Sequence, residues 1–293
     1  MADTESDETT GDERRSGESV RKTVLITGCS SGIGRETALA FLDDGWTVYA
    51  TARNAEDIAA LGEAGCETAE LDVTDENQCR AVVERIISET GRVDCLVNNA
   101  GYGQMGPVEE VPTDVVREQF DVNVYGPHRL IRAVAPHMRE RKTGTIINVS
   151  SVAGRLSYPG SGVYSGSKFA LEAISDALRP ELDPFDVDVV LIEPGPVDTQ
   201  FEDRAVDAAE SNTERSGAYE WFYDVMEDTQ VLGGGGVGAV SAETVAEAIL
   251  DSATRTSPPA RYPVGPVAKY GDYARFLPDS VRDRLYGVVR RLV

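Results

Sequence analysis

Short runs of aliphatic and β-branched residues alternate with longer amphipathic stretches from residue 23 to about residue 265. Short apolar runs bounded by polar residues are typical of buried strands, and apolar residues three and four positions apart are typical of helices. Strands are predicted at 23–27, 47–51, 67–72, 93–98, 144–150, 187–193 and 260–265, and the helices between them include 32–43, 75–90, 113–138, 163–182 and 242–253. This alternation predicts an α/β protein with a doubly wound, seven-stranded parallel sheet.

Three segments depart from this alternation. Residues 1–20 contain seven acidic residues and almost no apolar ones, which predicts a disordered tail before a single domain over 21–293. Residues 199–240, which we call the lid segment, are acidic, carry an aromatic cluster (Tyr219, Trp221, Phe222, Tyr223) and include a glycine run at 233–236. The lid segment is either a disordered insertion or a mobile lid over a site. Apolar residues at helical spacing predict an amphipathic helix at about 277–292.

The charge of the chain limits its partners. Fifty acidic and 28 basic residues give a formal charge of −22, which disfavours binding to nucleic acid or to anionic membranes. Only four of the basic residues are lysines, and an acidic, lysine-poor surface resembles that of proteins from salt-accumulating microbes. No apolar run approaches the length of a membrane span, no secretion signal is recognisable, and we expect a cytoplasmic protein. The four cysteines lack metal-ligand spacing and are expected to be buried thiols.

A glycine-rich turn follows the first predicted strand and opens the first helix. Its residues are Thr27, Gly28, Cys29, Ser30, Ser31, Gly32, Ile33 and Gly34, and we call residues 27–34 the glycine turn. Glycines permit a tight turn and a close approach to a pyrophosphate, to which the helix N-terminus offers free N–H groups. Its place between a strand and a helix predicts a dinucleotide site in a Rossmann-type fold.

The end of the second strand bears on the choice of dinucleotide. An acidic residue there would accept the ribose hydroxyls of NAD, but this chain has Ala52, Arg53 and Asn54. An arginine without a neighbouring acid suits a 2′-phosphate, which favours NADP(H) over NAD(H). Further polar residues follow the third and fourth strands, at Asp72-Val73 and at Asn98-Asn99-Ala100-Gly101. They either cap turns or contact the cofactor, and their shared sheet edge favours cofactor contact.

A tyrosine and a lysine lie one helical turn apart on the predicted helix 163–182. Tyr164 and Lys168 share a helix face, and Ser150 and Ser151 close the preceding strand. A cation about 4 Å from a phenol stabilises its anion by roughly 4 kcal/mol at an effective dielectric near 20, or about three pKa units. We therefore expect the Tyr164 pKa to fall from about 10 toward neutrality, where general acid–base catalysis is efficient.

Taken together in this order, the motifs resemble the classical branch of the short-chain dehydrogenase/reductase family. They are TGCSSGIG at 27–34, NNAG at 98–101, the asparagine in FDVNVYG at 120–126, YSGSK at 164–168 and EPGPVDT at 193–199. The resemblance implies a catalytic set of Asn123, Ser151, Tyr164 and Lys168. Tyr164 would exchange a proton with the substrate oxygen, Ser151 would hydrogen-bond that oxygen, Lys168 would hold the nicotinamide ribose, and Asn123 would position a water of a proton relay.

The resemblance also implies cofactor contacts. Those expected are the glycine turn with Ser30, Ser31 and Ile33 at the pyrophosphate, Asp72 and Val73 at the adenine, Asn99 with Ala100 and Gly101 at the adenosine ribose, and Pro194, Gly195, Val197 and Thr199 at the nicotinamide. Ser150 competes with Ser151 for the serine role, and the 13-residue separation from Tyr164 favours Ser151. His128 and His137 are expected to be structural. Pairing of the long helices 113–138 and 163–182 with a second copy would give a homodimer or homotetramer.

The expected reaction is NADP(H)-dependent interconversion of an alcohol and a carbonyl on a largely apolar small molecule. Within the family, the chain resembles the 17β-hydroxysteroid and retinol dehydrogenases, whereas its acidic lid segment and tail depart from them. Two alternatives are a non-catalytic dinucleotide sensor and a sugar-nucleotide epimerase. A sensor usually loses the tyrosine, and an epimerase carries a TGxxGxxG turn and a larger C-terminal domain, neither of which is found here.

Overall fold

The main sheet of the protein is parallel and has seven strands. The computed structural model describes residues 21–231 and 238–292, so the tail expected at 1–20 and the glycine run at 233–236 lie outside the described residues. The strands are β1 (Thr23–Thr27), β2 (Thr47–Ala52), β3 (Glu67–Glu70), β4 (Cys95–Asn98), β5 (Gly144–Val149) and β6 (Val187–Pro194), followed by the short β7 (Val197–Asp198) and β8 (Val240–Ser241) and finally β9 (Arg261–Val264). The order β3-β2-β1-β4-β5-β6-β9 confirms the predicted doubly wound sheet, while β7 and β8 pair separately.

Helices cover both faces of this sheet. They are α1 (Gly32–Asp43), α2 (Ala59–Ala64), α3 (Glu76–Thr90), α4 (Thr113–Phe120), α5 (Gly126–Arg141), α6 (Gly162–Leu182), α7 (Phe201–Asn212), α8 (Glu220–Val231), α9 (Ala242–Thr254), α10 (Pro266–Gly271) and α11 (Asp279–Leu292). Apolar side chains of α1 and α9 pack on one face, and those of α3, α5 and the end of α6 pack on the other. Adjacent residues of a β-strand point to opposite faces of the sheet. Because helices cover both faces, the central strands are apolar and buried on both sides.

The chain order creates a crevice at one edge of the sheet. Strand β1 pairs with β2 on one side and with β4 on the other. The first three strands therefore extend the sheet in one direction and the later strands in the other, with the reversal between β1 and β4. In open α/β sheets, ligands bind outside the carboxyl ends of the strands at such a point. The segments that follow β1, β4, β5 and β6 therefore converge where the sequence places its candidate residues.

Two predicted elements differ in the structure. The expected helix 113–138 is divided into α4 and α5 by a π-helical turn at Asp121–Tyr125, which widens the helix by one residue per turn. Such turns leave no simple periodicity signal, and they are frequent at functional sites. The described part of the lid segment holds α7 and α8, and the C-terminal helix begins at Asp279.

Candidate active site

The glycine turn is tightly packed against the end of β4. Gly28 and Gly32 have φ angles of +72° and +53°, which side-chain-bearing residues rarely adopt. A Cβ on Gly34 would lie 2.2 Å from the carbonyl oxygen of Gly28, so any side chain there would displace the backbone. Ser31 occupies the N-cap position of α1, but its side chain makes no capping hydrogen bond. The turn therefore brings the amino end of α1 to the sheet edge without a side-chain cap.

Asn99 joins the glycine turn to β4. Its Nδ2 donates to the carbonyl oxygens of Thr27 (2.8 Å) and Gly28 (3.1 Å). In return, the Thr27 hydroxyl accepts hydrogen bonds from the N–H groups of Asn99 (3.0 Å) and Ala100 (2.9 Å). The Asn99 side chain thus fixes the turn, and the ribose contact expected of this residue stays a prediction.

The ends of β2 and β3 present the remaining candidates for the adenosine side. Arg53 is exposed directly after β2. The Asp72 carboxylate accepts from the N–H (2.9 Å) and hydroxyl (2.8 Å) of Thr74, so it shapes the turn after β3. Val73 is buried next to Gly126 at the start of α5. All these residues lie at the carboxyl edge, as the sequence predicts.

Helix α6 places Tyr164 and Lys168 beside the end of β5. Lys168 Nζ donates to the carbonyl oxygen of Val149 at 2.9 Å and lies 5.9 Å from the centroid of the Tyr164 ring. The Ser151 hydroxyl lies near enough to the Tyr164 phenol to favour its ionised form, and Ser151 Oγ accepts from the N–H of Ala153 at 3.1 Å. By contrast, Ser150 is buried, and its Oγ lies 2.7 Å from the position of a Cβ on Gly154. The structure therefore brings Ser151 and not Ser150 to the tyrosine.

Asn123 lies at the centre of the π-helical turn and is fully buried. Its Nδ2 donates to the carbonyl oxygen of Tyr102 (2.9 Å) and to the Ser167 hydroxyl (3.1 Å), and its Oδ1 accepts from the Tyr102 N–H (3.1 Å). A Cβ on Gly101 would lie 3.1 Å from Asn123 Oδ1 and 3.6 Å from Lys168 Nζ. Asn123, Lys168 and the segment after β4 thus meet at one point.

Comparison with known proteins identifies the family. Residues 22–210 match the family described as short chain dehydrogenase. This chain belongs to that family. It is 38% identical to a probable short-chain type dehydrogenase/reductase of Helicobacter pylori over 90% of this chain and 96% of that protein. It is 35% identical to the 3-ketodihydrosphingosine reductase of Bacteroides thetaiotaomicron, over 88% of this chain and 94% of that protein. It is also 37% identical to human 17-beta-hydroxysteroid dehydrogenase type 1, over 83% and 77%.

Solved structures agree with this assignment. A short-chain dehydrogenase from Streptomyces avermitilis superimposes with a TM-score of 0.77 at 35% identity, covering 92% of this chain and 98% of that one. A serine dehydrogenase complexed with NADP+ superimposes with a TM-score of 0.72 at 28% identity, covering 84% of this chain and 95% of that one. A Burkholderia phymatum family member in complex with NAD superimposes with a TM-score of 0.67 at 29% identity, covering 79% of this chain and 85% of that one. The protein is an oxidoreductase of the type that acts on alcohol or carbonyl groups.

The residues that follow β6 in this dehydrogenase run toward the glycine turn. The Gly195 N–H donates to the carbonyl oxygen of Val264 at 3.0 Å, and Pro194 ends β6. Val197 pairs with Val240 in the small sheet. A methyl group of Thr199 lies 3.1 Å from the position of a Cβ on Gly32. The segment therefore reaches from the end of the sheet to the start of α1.

Burial controls the ionisation of Tyr164 and Lys168. It raises the pKa of Tyr164, and the hydrogen bond from Ser151 only partly opposes it. The expectation that Lys168 draws the Tyr164 pKa toward neutrality is therefore wrong in this structure, because desolvation of a buried phenol outweighs the attraction of a cation bonded to Val149. Burial also lowers the Lys168 pKa to about 8, against the opposing effect of the Glu172 carboxylate.

Two lid residues that the sequence analysis missed lie next to the site. The Phe201 ring lies 5.7 Å from the Tyr164 ring, between centroids, and 3.1 Å from the position of a Cβ on Gly103. Arg204, one turn further along α7, donates from Nη2 to the Ser31 hydroxyl at 3.3 Å. Both residues lie within five positions of the end of the EPGPVDT motif, and that proximity was the available signal.

The rest of the lid segment is attached through Glu110, which precedes α4. Its carboxylate accepts from the N–H (2.7 Å) and hydroxyl (2.6 Å) of Ser216 and from the Tyr223 hydroxyl (2.7 Å). Phe222 packs against Gly160, where a Cβ would lie 1.8 Å from the ring. Tyr219 also donates to the Glu109 carboxylate, so three of the four clustered aromatic residues attach the lid segment to the body of the protein.

Several features lie away from this site. His128 is exposed on α5, and His137 has Arg141, Glu140 and Asp94 as its charged neighbours at the opposite edge of the sheet. All four cysteines are free and buried. Within residues 21–231 and 238–292 the structure contains no cluster of three or more potential metal ligands. In the same ranges, every helix is too short or too polar to cross a bilayer.

Proposed function

We propose that this dehydrogenase interconverts an alcohol and a carbonyl on a largely apolar small molecule with NADP(H) as the hydride carrier. The observation that carries the proposal is the meeting of Tyr164, Ser151, Lys168 and Asn123 at the carboxyl edge of the sheet, beside the glycine turn. A phenol beside a serine hydroxyl, with an ammonium one helical turn away, provides a proton donor next to a site for a developing oxyanion.

The residues around the glycine turn fit a dinucleotide. The uncapped amino end of α1 and the absence of side chains at positions 28, 32 and 34 provide N–H donors and room for a pyrophosphate. Arg53 would pair with a 2′-phosphate, and Lys168 would hold the nicotinamide ribose. When bound, the nicotinamide supplies a hydride from C4 to the substrate carbon or accepts one from it.

In the direction of reduction, the substrate oxygen gains a proton as the carbon gains the hydride. Tyr164 donates that proton, and Ser151 donates a hydrogen bond to the same oxygen. Because burial raises the pKa of Tyr164, the phenol is protonated at neutral pH and ready to act as the acid. Asn123, whose side chain is bonded to Tyr102 and Ser167 in the π-helical turn, would position the water that returns a proton.

The residues that face the phenol support an apolar substrate. The Phe201 ring and Gly103 border the approach to Tyr164, and apolar walls with few polar groups favour apolar ligands. Relatives named as a 3-ketodihydrosphingosine reductase and a 17-beta-hydroxysteroid dehydrogenase support a carbonyl on a long or polycyclic apolar molecule.

The decisive experiment replaces Tyr164 with Phe and measures NADPH oxidation with a panel of apolar ketones and aldehydes. Loss of a general acid typically slows turnover by about 10²–10⁴-fold, whereas NADPH binding should persist because the ring is kept. Tyr49→Phe is the matched control, since the Tyr49 phenol is bonded to Glu89 away from the site. Normal turnover of Tyr164→Phe would refute the proposed mechanism, and NADPH binding without any turnover in the wild type would favour a sensor.

We also propose that the protein forms a homodimer or homotetramer through α4, α5 and α6. Tyr125, in the π-helical turn between α4 and α5, is 52% exposed, and Phe169 on α6 is 41% exposed. Pairing with a second copy would bury both side chains. Light scattering in molar salt should give a dimer or tetramer, and Phe169→Asp should shift it toward monomer. A monomeric wild type would contradict this proposal. The cytoplasmic location and the adaptation to salt stay predictions from the sequence.

A further inference from the structure

Three residues of α6, spaced by one turn, face three consecutive residues, the last residue of β5 and the two that follow it. Tyr164 faces Ser151, and Lys168 Nζ donates to the carbonyl oxygen of Val149 at 2.9 Å. Glu172 faces the residue between them. A Cβ on Gly154 would lie 2.7 Å from Ser150 Oγ and 3.1 Å from Glu172 Cγ, which places the two side chains together. The carboxylate of Glu172 therefore lies on the same face of α6 as Tyr164 and Lys168, one turn beyond the lysine.

Glu172 belongs to a group of charged residues, of which the two glutamates are buried. Its Oε2 accepts from Arg261 at 3.1 Å, and Arg261 also pairs with Glu193 (3.0 Å) and Asp176 (2.7 Å). Arg155 pairs with Glu193 at 3.3 Å. Both Glu172 and Glu193 are 5% exposed. We call Arg155, Glu172, Asp176, Glu193 and Arg261 the charge cluster.

A buried carboxylate is costly unless it is paired, so its position next to a catalytic lysine calls for a reason beyond stability. Arg261, from the last strand of the sheet, compensates Glu172 and fixes the orientation of its carboxylate. Arg261 is in turn shared with Asp176 and Glu193, so it does not depend on Glu172 for a counter-ion. Burial raises the pKa of Glu172, whereas the guanidinium groups of Arg261 and Arg155 oppose this rise and favour the ionised carboxylate. One side of Glu172 faces Ser150 and the helix turn of Lys168.

We propose that Glu172 is a positioning residue for the Tyr164–Lys168 pair: anchored by Arg261, its carboxylate holds the end of β5 against α6 and attracts the Lys168 ammonium along the same helix face. The proposal rests on the proposed function for its catalytic meaning. The charged and titratable groups that face Glu172 are Lys168 and Asp176 on α6, Glu193 on β6, Arg261 on β9 and Arg155 after β5. Of these, Lys168 belongs to the catalytic set.

The ionisation directions agree with this geometry. Burial lowers the Lys168 pKa to about 8, and the Glu172 carboxylate acts to raise it. Removing the Glu172 charge removes a stabiliser of the Lys168 ammonium, so the Lys168 pKa should fall further. At pH 7 to 8 a smaller fraction of the enzyme would then carry the charged lysine.

The chain is well suited to a direct measurement of this change, because it contains only four lysines. Protein labelled with 13C at the lysine ε-carbons should give four NMR signals, and Lys168→Met identifies the signal of Lys168. In Glu172→Gln we expect the pKa of that signal to fall by about one unit, which is a tenfold change in its protonation equilibrium. The basic limb of the pH profile of kcat/KM should move to lower pH by the same amount, while at pH 6 the variant should approach wild-type activity.

Asp176→Asn is the matched control, because Asp176 shares Arg261 but lies one turn further from Lys168 and is about half exposed. It should leave the Lys168 titration unchanged. Glu172→Asp keeps the charge but withdraws it by one methylene, so it should lower the Lys168 pKa less than Gln does. This variant also gives a result if Glu172→Gln fails to fold.

Two outcomes would overturn the proposal. An unchanged Lys168 pKa in the folded Glu172 variants would show that the carboxylate does not act on the lysine. An equal shift in Asp176→Asn would assign the effect to Arg261 and the charge cluster as a whole. The NMR titration measures the Lys168 pKa without any turnover. If the Tyr164→Phe experiment refuted the proposed function, the effect of Glu172 on Lys168 could therefore still be measured.

Discussion

The nucleotide side and the lid side of the site are built in different ways. The glycine turn is held by backbone geometry, with positive φ angles and a Gly34 that leaves no space for a Cβ. The lid segment is held by side chains, through Glu110 bonded to Ser216 and Tyr223 and through Phe222 packed on Gly160. The first arrangement tolerates almost no change of residue, whereas the second can be replaced by any set of complementary side chains. One side suits a constant ligand, the other a ligand that varies within the family.

The largest effect should come from Gly34→Ala on the nucleotide side. Overpacking against the backbone costs up to about 3 kcal/mol, which corresponds to roughly a hundredfold loss of NADPH affinity if the turn opens in response. Fluorescence titration with NADPH measures it. Gly62→Ala is the control, since a Cβ on Gly62 would make only an ordinary 3.5 Å contact with Thr68. If Gly34→Ala bound NADPH normally, the backbone of the turn would not be what defines this half of the site.

A smaller effect is expected at Arg53, where a side chain and not the backbone decides. Ala52→Asp combined with Arg53→Ala should accept ribose hydroxyls and repel a 2′-phosphate, which reverses the preference from NADPH to NADH by about tenfold in each direction. Dissociation constants for both cofactors test this. Arg21→Ala, at an exposed residue before β1, is the control for loss of one positive charge. A wild type that prefers NADH would overturn the assignment of Arg53.

On the lid side, Glu110→Gln should loosen the attachment of the segment without affecting NADPH affinity. Burial raises the Glu110 pKa, but hydrogen bonds from Ser216 and Tyr223 and the charge of Arg215 outweigh it, and the net pKa is lowered. A carboxylate with a lowered pKa stabilises the docked state above its undocked pKa, and this contribution is lost as the pH falls through the docked value. Tryptic cleavage after the exposed Arg215 should therefore be several-fold faster in Glu110→Gln.

The pH dependence of tryptic cleavage provides the control for this prediction. Cleavage of the wild type should accelerate at acidic pH, relative to a standard trypsin substrate, whereas that of Glu110→Gln should stay high throughout. Glu109→Gln removes the neighbouring carboxylate, which accepts a hydrogen bond from Tyr219 of the lid segment. Because Glu110 accepts from both Ser216 and Tyr223, loss of the Glu109 charge should have a weaker effect. Equal cleavage rates in all three proteins would mean that Glu110 does not hold the segment.

The two halves also differ in how far the sequence predicts them. The glycine turn, the strand ends and the Tyr164–Lys168 spacing are local patterns, and the sheet order follows from the alternation of strands and helices. The π-helical turn at Asn123 is invisible to periodicity because one extra residue per turn only blurs it. Glu110 and Ser216 are 106 positions apart, and Arg261 and Glu172 are 89 apart, so no local pattern pairs them. The raised pKa of Tyr164 depends on burial, which the sequence alone does not quantify.

The smallest expected effect concerns salt, and it separates local from global charge on the nucleotide side. The chain carries −22, so at low ionic strength it repels both cofactors, and NADPH more strongly because of its additional phosphate. Molar salt reduces the Debye length to about 3 Å, which screens this repulsion over the whole surface while the short contact between Arg53 and the phosphate is weakened less. NADPH affinity should therefore rise several-fold from low to molar salt, and NADH affinity should rise less. In the Ala52→Asp, Arg53→Ala variant the NADPH affinity should still increase with salt, from a lower starting value, because the global repulsion remains. If NADPH affinity instead falls steadily with salt in the wild type, the local ion pair outweighs the net charge of the protein, and the surface acidity has no part in cofactor binding.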